Sequence, residues 1–389
     1  MYDFDQIIDR RSTDCVKWDN LEELYGDKDL LPLWVADMDF PVAPAISNAL
    51  KKRTEHGVYG YNLISDRYYQ AVINWMKRRH SWDIEREWIV FTPGVVPALS
   101  YAVRAFTKPG DKVIIQSPVY HPFYSTIETN GRHVVTNPLI YKDGKYYMDY
   151  EDLEEKIDSR TRLLFLCSPH NPVGRVWTEE ELRRLGKICL ENDIIVVSDE
   201  IHFDIVFKGH KHTVFAKVSE EIRENSIICT APSKTFNIAG LQVSNIIIPN
   251  RRLRERFNIE LEKDHISRPN IFGQEALIAA YEESEEWLDE LIHYIEENKN
   301  YFIGYVENNL PQLEVIDSEG TFLLWVDCSG LNMDPEELNH FFVNRCKLAL
   351  NRGDMFGQEG RLFYRFNIGC PRSILKEALD RIKEGIESL

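Results

Sequence analysis

The sequence predicts an α/β protein with a large domain, in which a mostly parallel β-sheet lies between helices, and a smaller α+β domain at the C-terminus. Between residues 88 and 249, short β-branched runs alternate with segments of helical period, which is typical of a parallel sheet covered on both faces. From residue 250 onward, long charged helices precede strand-rich runs. A chain of 389 residues is long enough for both units.

Six apolar runs predict the strands of the large sheet. They are Trp88–Phe91, Lys112–Ile115, Leu163–Leu166, Ile194–Val197, Ser226–Cys229 and Val243–Ile248. Between two of these runs, the sequence from Thr178 to Glu181 is a capping box that begins a helix. The apolar residues that follow it keep a 3.6-residue period until Asn192, where we expect the helix to end.

The C-terminal third predicts a different arrangement. We expect helices over residues 250–264 and 271–308, the second broken near Ser284. A strand at Thr321–Val326, a helix at Pro335–Cys346 and a strand at Arg361–Phe366 follow. We therefore predict a large domain over residues 41–285 and a small C-terminal domain over 286–389, with residues 1–40 as an N-terminal segment that packs with the small domain.

Charge and hydropathy limit the partners of this protein. Lys and Arg total 46 against 63 Asp and Glu, a formal charge of −17, which disfavours nucleic acid and anionic membrane surfaces because both require clustered cations. The acidic Met1–Asp5 lacks the features of a secretory signal, and no apolar run approaches the ~18 residues that span a bilayer. We expect a cytoplasmic protein with a small-molecule partner, no nucleic acid and no membrane.

The seven cysteines are scattered, without CxxC or Cys/His ligand spacing. We interpret them as reduced, mostly buried thiols, and we expect no metal site.

Chemically useful residues follow five of the predicted strands. In open α/β sheets a ligand binds outside the carboxyl ends of the strands, so these residues should meet at one edge. The groups are Thr92–Gly94, Ser117–Tyr120, Ser168–Pro172, Ser198–His202 and Thr230–Lys234. Together they supply a glycine that begins a helix, an aromatic ring, an amide, a carboxylate with a histidine, and a lysine.

Each of these residues also has an ordinary structural interpretation. Gly94 fits a tight turn as well as a phosphate site formed by the N–H groups of Gly94 and Val95. Asp199 fits a helix cap as well as a ligand contact. Lys234 is less easily explained as a surface residue because apolar and small residues surround it, and a desolvated lysine is a nucleophile suited to Schiff-base chemistry. As a set, these groups match pyridoxal phosphate, which has a phosphate, a ring to stack on, a phenolic oxygen, a basic nitrogen and an aldehyde.

The ordered motifs resemble those of the fold-type I pyridoxal-phosphate enzymes over nearly the whole chain. These motifs are Thr92-Pro93-Gly94, Pro118-Val119-Tyr120, Asn171-Pro172-Val173-Gly174, Asp199-Glu200-Ile201-His202, Ser233-Lys234-Thr235-Phe236-Asn237 and Arg365-Phe366-Asn367-Ile368-Gly369. Two further features, the run from Trp34 to Phe40 and the presence of His202, resemble the MalY/PatB-like cystathionine β-lyase branch of the class I and II aminotransferase superfamily. The resemblance implies a seven-stranded sheet in the large, cofactor-binding domain.

The resemblance also implies a role for each matching residue. The implied catalytic residues are Lys234, which bonds to the cofactor aldehyde, Asp199, which pairs with the pyridinium nitrogen, and Tyr120, which stacks on the ring. Cofactor contacts are further implied for Asn171 and His202 near the 3′ oxygen and, at the phosphate, for Gly94, Val95, Val96, Thr230, Ser233 and Tyr61. Tyr61 would come from the second subunit of a homodimer. Arg365 would bind the substrate carboxylate, with Asn171, Tyr120, Tyr61 and Trp34 also at the substrate.

The sequence departs from the wider family at one phosphate position. Many relatives carry an arginine eight residues after the Schiff-base lysine, where this chain has Gln242. The phosphate would then depend more on N–H and hydroxyl donors.

The resemblance favours a C–S β-lyase that converts L-cystathionine or a related cysteine thioether to a thiol, pyruvate and ammonia. Two alternatives stay open at this point, an aminotransferase of the same superfamily and a regulatory protein that uses the fold for protein contacts.

Overall fold

The computed structural model describes residues 2–389, so Met1 alone of the predicted N-terminal segment lies outside it. The helices are α1 (Val16–Asp19), α2 (Leu21–Tyr25), α3 (Pro44–Glu55), α4 (Asp66–His80), α5 (Val95–Phe106), α6 (Pro122–Thr129), α7 (Tyr150–Lys156), α8 (Glu179–Glu191), α9 (Glu220–Glu224), α10 (Pro232–Thr235), α11 (Arg251–Lys263), α12 (Ile271–Glu283), α13 (Glu285–Asn309), α14 (Pro335–His340) and α15 (Arg372–Glu387). The strands are β1 (Leu31–Pro32), β2 (Ile89–Thr92), β3 (Lys112–Ile115), β4 (His133–Thr136), β5 (Ile140–Lys142), β6 (Lys145–Tyr147), β7 (Thr161–Cys167), β8 (Ile195–Asp199), β9 (Ser226–Thr230), β10 (Ser244–Ile247), β11 (Glu314–Val315), β12 (Leu323–Asp327), β13 (Leu348–Ala349), β14 (Asn351–Arg352) and β15 (Phe363–Asn367).

The large sheet has seven strands in the order β2-β10-β9-β8-β7-β3-β4. Pairing is parallel from β9 to β4, whereas β10 runs antiparallel to both of its neighbours. Side chains alternate between the two faces of β7, so Leu163 and Phe165 pack in the core beside α5 while Leu164 and Leu166 pack in the core beside α8. The predicted mostly parallel sheet between helices is therefore confirmed.

Several predicted elements agree closely with the structure. The Thr178 hydroxyl and the Glu181 side chain form the capping box of α8, which ends at the C-cap Asn192. Ser284 separates α12 from α13, at the predicted break in the long helix. The edge strand β4 is not among the six predicted runs, because its residues are only partly buried and its sequence is mixed. The predicted helix to Cys346 is α-helical only to His340 and then continues as a π-helical turn.

The C-terminal part contains an antiparallel sheet with the order β11-β12-β15-β14, covered by α13 and α15. The N-terminal segment joins this part through parallel pairing of β1 with β13. Farther along, the backbone N–H of Asn367 donates to the carbonyl of Leu33, and that of Asp39 donates to the carbonyl of Gly369. The domain boundaries near residues 40 and 285 stay predictions, since residues 2–40 also contact Lys234 and Asn237 of the predicted large domain.

All seven cysteines are free thiols, and all but the half-buried Cys15 are buried. No helix within residues 2–389 is long and apolar enough to cross a membrane.

Gly174 lies where the large sheet contacts the C-terminal part. Its φ of +71° is in the left-handed region, and a Cβ there would lie 2.9 Å from the Cα of Ser318. The Gly174 carbonyl also accepts a hydrogen bond from the N–H of Glu319. This glycine of the Asn171–Gly174 motif therefore has two steric reasons to lack a side chain.

We predict that Gly174→Ala lowers the free energy of unfolding by about 2–4 kcal/mol, since backbone strain and overlap with Ser318 add. Urea denaturation measures the change. Gly110→Ala is the matched control, because Gly110 has a φ of +85° but no atom within 4 Å of the added Cβ. The control should lose only about 1 kcal/mol, and equal losses in the two variants would contradict the close-contact argument.

Candidate active site

A cavity of about 190 Å³ lies at the carboxyl ends of the parallel strands. Nine of the predicted site residues line it, namely Gly94, Val95, Val96, Tyr120, Asn171, Asp199, His202, Ser233 and Lys234. Ala36, Cys167 and Ile201 are among the lining residues that the sequence did not single out as ligands. The motifs that follow separate strands therefore meet at one cavity, as expected for an open α/β sheet.

Lys234 is carried by the short helix α10 directly after β9. Its Nζ donates a hydrogen bond to the carbonyl of Ala36 at 2.6 Å. Burial lowers the pKa of Lys234 to about 8, despite the opposing effect of the Asp37 carboxylate. A fraction of the amine is therefore neutral and nucleophilic near physiological pH, although the protonated form predominates.

Asp199 ends β8 and is buried against the cavity. Its Oδ1 accepts a hydrogen bond from the backbone N–H of Ile201 at 3.1 Å. Burial raises the pKa of Asp199 to about 7, which that hydrogen bond and the charge of Lys234 only partly counteract. A cation placed in the cavity would stabilise the ionised carboxylate, as the protonated ring nitrogen of the expected cofactor does.

Tyr120 and His202 present neutral rings to the cavity. Burial, with the charge of Asp199, raises the pKa of Tyr120 to about 12, so its hydroxyl keeps its proton. Burial and the charges of Lys234 and Arg365 hold the pKa of His202 well below its usual value. The Nδ1 of His202 is buried without a hydrogen-bond partner, which leaves it free for a polar group of a ligand.

The N-terminus of α5 opens onto the cavity next to Gly94. The N–H groups of Val95 and Val96 have no intrahelical partner, and the helix dipole favours an anion at this end. Ser233 lines the cavity nearby, whereas Thr230 does not, and the Thr230 hydroxyl donates to the carbonyl of Asn245 at 3.0 Å. Gln242 is exposed and is not among the residues that line the cavity.

Arg365 lies in β15 behind Asn171, almost completely buried. Its Nη1 donates to Asn171 Oδ1 at 3.0 Å. Its Nη2 donates to the carbonyl of Trp34 at 2.9 Å and to Asn351 Oδ1 at 2.6 Å. Arg365 is not among the residues that line the cavity, but it is bonded to Asn171, which is.

Trp34 and Tyr61 are not brought into the cavity by their side chains. The Trp34 indole N–H donates to the carbonyl of Lys17 at 3.1 Å, and the residue contacts Arg365 through its backbone carbonyl. Tyr61 is fully exposed. The predicted roles of both side chains at the substrate stay predictions.

Residues 34–40 contact both Lys234 and Arg365, since the carbonyl of Trp34 accepts from Arg365 and that of Ala36 accepts from Lys234. Two asparagines fix this segment. Asn237, three residues after Lys234, donates to the carbonyls of residues 38 and 40, and its Oδ1 accepts from the N–H of residue 38. Asn367, two residues after Arg365, donates to the carbonyls of residues 35 and 37 at 2.6 Å each.

A buried charge cluster supports the same segment from the other side. Lys17 is completely buried, and its Nζ lies 2.5 Å from Asp39 Oδ2. Arg10 bonds to both Asp37 and Asp39 at 2.7 Å. Burial alone would raise the pKa of Asp39, but the ion pairs with Lys17 and Arg10 outweigh it and hold the pKa below its usual value. Sequence reasoning missed this cluster because its two cations lie in an unpatterned N-terminal stretch.

The cavity fits pyridoxal phosphate as the resemblance implied. It offers a buried amine of lowered pKa, a carboxylate that requires a cation, a helix N-terminus for a phosphate, and an unpaired histidine nitrogen. No group of His, Cys, Asp or Glu within residues 2–389 is placed to hold a metal ion.

Residues 28–382 match the family model of aminotransferase class I and II. This chain belongs to that family. Within the class I and II aminotransferase family, cystathionine beta-lyase PatB of Bacillus subtilis (strain 168) is 47% identical over 384 residues, which are 98% of this chain and 99% of that protein.

Two solved structures extend the comparison. The crystal structure of cystalysin from Treponema denticola, which contains a pyridoxal 5′-phosphate cofactor, has a TM-score of 0.97 and 40% identity, covering 100% of this chain and 99% of that chain. The PLP-bound C-S lyase from Staphylococcus hominis has a TM-score of 0.93 and 36% identity, covering 99% of this chain and 98% of that chain. The whole architecture is therefore shared with these proteins.

We predict that Lys234 makes the cofactor-free protein more stable at alkaline pH. The pKa of Lys234 is about 8 in the folded protein and about 10.5 in the unfolded chain. Between these pH values the unfolded chain therefore binds more protons than the folded protein, so the free energy of unfolding rises with pH. Relative to Lys234→Met, the free energy of unfolding of the wild type should gain about 3 kcal/mol from pH 7 to 10.5.

Urea denaturation at several pH values measures this difference, in which the titration of all other groups cancels. The Met variant supplies a side chain of similar length without a charge. A difference that stays constant from pH 7 to 10.5 would contradict the burial of a charged amine at this position.

Proposed function

We propose that this chain is a pyridoxal-phosphate-dependent C–S β-lyase that cleaves L-cystathionine or a related cysteine thioether to a thiol, pyruvate and ammonia. The observation that carries the proposal is the buried amine of Lys234, with a pKa of about 8, facing one cavity with Asp199 and the N-terminus of α5. The similarity to cystathionine beta-lyase PatB and to the C–S lyase from Staphylococcus hominis supports the lyase reaction.

The lining residues would hold the cofactor by complementary chemistry. The N–H groups of Val95 and Val96 and the Ser233 hydroxyl suit the phosphate, since they are donors at a helix N-terminus. Asp199 suits the protonated ring nitrogen, and Tyr120 offers a ring for stacking. Asn171 and His202 are the polar groups for the 3′ oxygen, and Thr230 would act only by supporting the strand end.

When bound, pyridoxal phosphate supplies an aldehyde that bonds to amines and a ring that accepts the electron pair released at the substrate Cα. Lys234 Nζ takes the proton from Cα, and its pKa of about 8 suits a base that works near neutral pH. Arg365 holds the substrate carboxylate through two N–H groups, which orients Cα toward that amine. The thiolate then leaves Cβ with the electron pair of the Cβ–S bond. The three-carbon enamine that is released is hydrolysed by water to pyruvate and ammonia.

An aminotransferase is the second candidate, because the matching family model is named for that activity. Both reactions begin with removal of the Cα proton by Lys234 and differ in where a proton or leaving group moves afterwards. A regulatory role through protein contacts is less supported, since the residues for catalysis are complete.

We predict that the holoenzyme forms pyruvate and a thiol from L-cystathionine in equal amounts without an added keto acid. A lactate-dehydrogenase-coupled assay measures the pyruvate, and a thiol reagent measures the second product. Lys234→Ala should lose activity by a factor of at least about 10³, together with the visible absorbance of the bound cofactor. Product formation that strictly requires a keto acid would replace the lyase by the aminotransferase.

We also propose a cytoplasmic homodimer in which Tyr61 reaches the partner's phosphate site. Val58, Tyr59, Tyr61 and Leu63 form an exposed apolar loop, and such a cluster indicates a protein interface. Tyr61 is fully exposed, so its ring is available to a second copy of the chain.

Subunit complementation tests this arrangement. We predict that Tyr61→Ala lowers cofactor affinity and that Lys234→Ala is inactive. After the two variants are unfolded together and refolded, mixed dimers hold one site with both residues intact, so activity rises above that of either variant alone. A mixture no more active than the Tyr61→Ala chains within it would contradict a shared site.

A further inference from the structure

Two arginines among residues 2–389 are buried, Arg175 and Arg365, and their hydrogen-bond partners differ in charge. Arg175 bonds to Glu319 at 3.0 Å and to Glu181 at 2.9 Å, so two carboxylates compensate its charge. Arg365, buried to the same degree, bonds to the amide oxygens of Asn171 and Asn351 and to one backbone carbonyl. No Asp or Glu within the described chain forms an ion pair with Arg365.

Asn351 is fixed directly opposite Arg365 by backbone pairing. It begins β14, and the antiparallel register places its Cα across from that of Arg365 on β15. Its Oδ1 accepts from Arg365 Nη2 at 2.6 Å, the shortest of the three acceptor contacts. Only 4% of Asn351 is exposed, so water does not replace this contact.

The guanidinium is oriented but not neutralised. The ring of Phe356 lies 4.9 Å from its Cζ, and Nε is buried without a partner. Burial lowers the pKa of Arg365 to about 10, and Tyr120 and Tyr25 are the groups whose interactions oppose that shift. A buried cation with neutral partners retains a strong attraction for an anion, because the low dielectric of the site screens it little.

We propose that Asn351 is a positioning residue that aims Arg365 at the substrate carboxylate while leaving the charge of the guanidinium uncompensated. An aspartate of the same size would make the same contact and would also compete with the substrate as an ion-pair partner. The neutrality of Asn351 is thus the feature that function requires. This inference rests on the proposed role of Arg365 at the substrate carboxylate.

The test compares Asn351→Asp with the wild-type holoenzyme in the binding of L-alanine and of L-alaninamide, followed through cofactor absorbance. L-Alanine has no leaving group on Cβ, so its binding does not depend on whether the enzyme is a lyase or an aminotransferase. We expect the Kd for L-alanine to rise at least about tenfold, since the new carboxylate occupies the charge that binds the ligand. The Kd for L-alaninamide, which lacks the carboxylate, should change less than about twofold.

Stability provides a readout that is independent of the cofactor. Cofactor-free Asn351→Asp should unfold at a higher temperature than the wild type, because it pairs a buried cation. Asn351→Ala should unfold at a lower temperature and weaken L-alanine selectively, since it removes an acceptor without adding a charge. Asn332→Asp, at an exposed asparagine, is the control for the change in net charge.

Unchanged L-alanine affinity in Asn351→Asp, or an equal loss for both ligands, would overturn the proposal. Wild-type protein that binds both ligands equally would instead overturn the role of Arg365 and leave the lyase reaction to the cystathionine assay. If Asn351→Asp fails to fold, equal effects of Asn351→Ala on the two ligands would overturn the proposal in its place.

Discussion

The burial of two cations in one site is the constraint on which the rest of this structure depends. The guanidinium of Arg365 is buried, the amine of Lys234 is half-buried at the cavity, and neither is bonded to a carboxylate of residues 2–389. Removing one ion from water costs several kcal/mol unless polar groups replace the lost hydration. Here carbonyl and amide oxygens provide that replacement, so the charges keep their attraction for an anionic ligand.

The N-terminal segment supplies two of these oxygens, from Trp34 and Ala36. A backbone carbonyl is useful only where the chain is fixed, and the segment is fixed from both sides. Asn237 and Asn367 bond to its carbonyls beside the site, while Lys17 and Arg10 hold the carboxylates of its acidic residues. The segment thereby connects the region after β9 with the C-terminal sheet. Asn237 lies three residues after Lys234 and Asn367 two residues after Arg365, so each asparagine holds the segment close to one of the two cations.

A strongly acidic chain can still bind anions by this means. The net charge of −17 belongs to the whole surface, whereas the cavity presents a helix N-terminus and a lysine, with the uncompensated Arg365 bonded to the lining residue Asn171. Two glutamates neutralise Arg175, whereas only neutral oxygens contact Arg365, as its proposed role in binding an anion requires. A buried arginine with only neutral partners is expected to stabilise the folded protein less than one paired with carboxylates, and such a cost is often found at functional sites.

The sequence by itself determined the alternation of strands and helices, the helix ends at Thr178 and Ser284, and the set of residues at the strand ends. These follow from local periodicity, from capping chemistry and from the rule that parallel strands end at one edge. Only the tertiary structure decided that Thr230 and Trp34 use their side chains elsewhere, that Gln242 is exposed, and that Asn351 faces Arg365. Strand register and the path of the N-terminal segment decide these contacts, which join residues 14 to 17 positions apart that carry no shared local pattern.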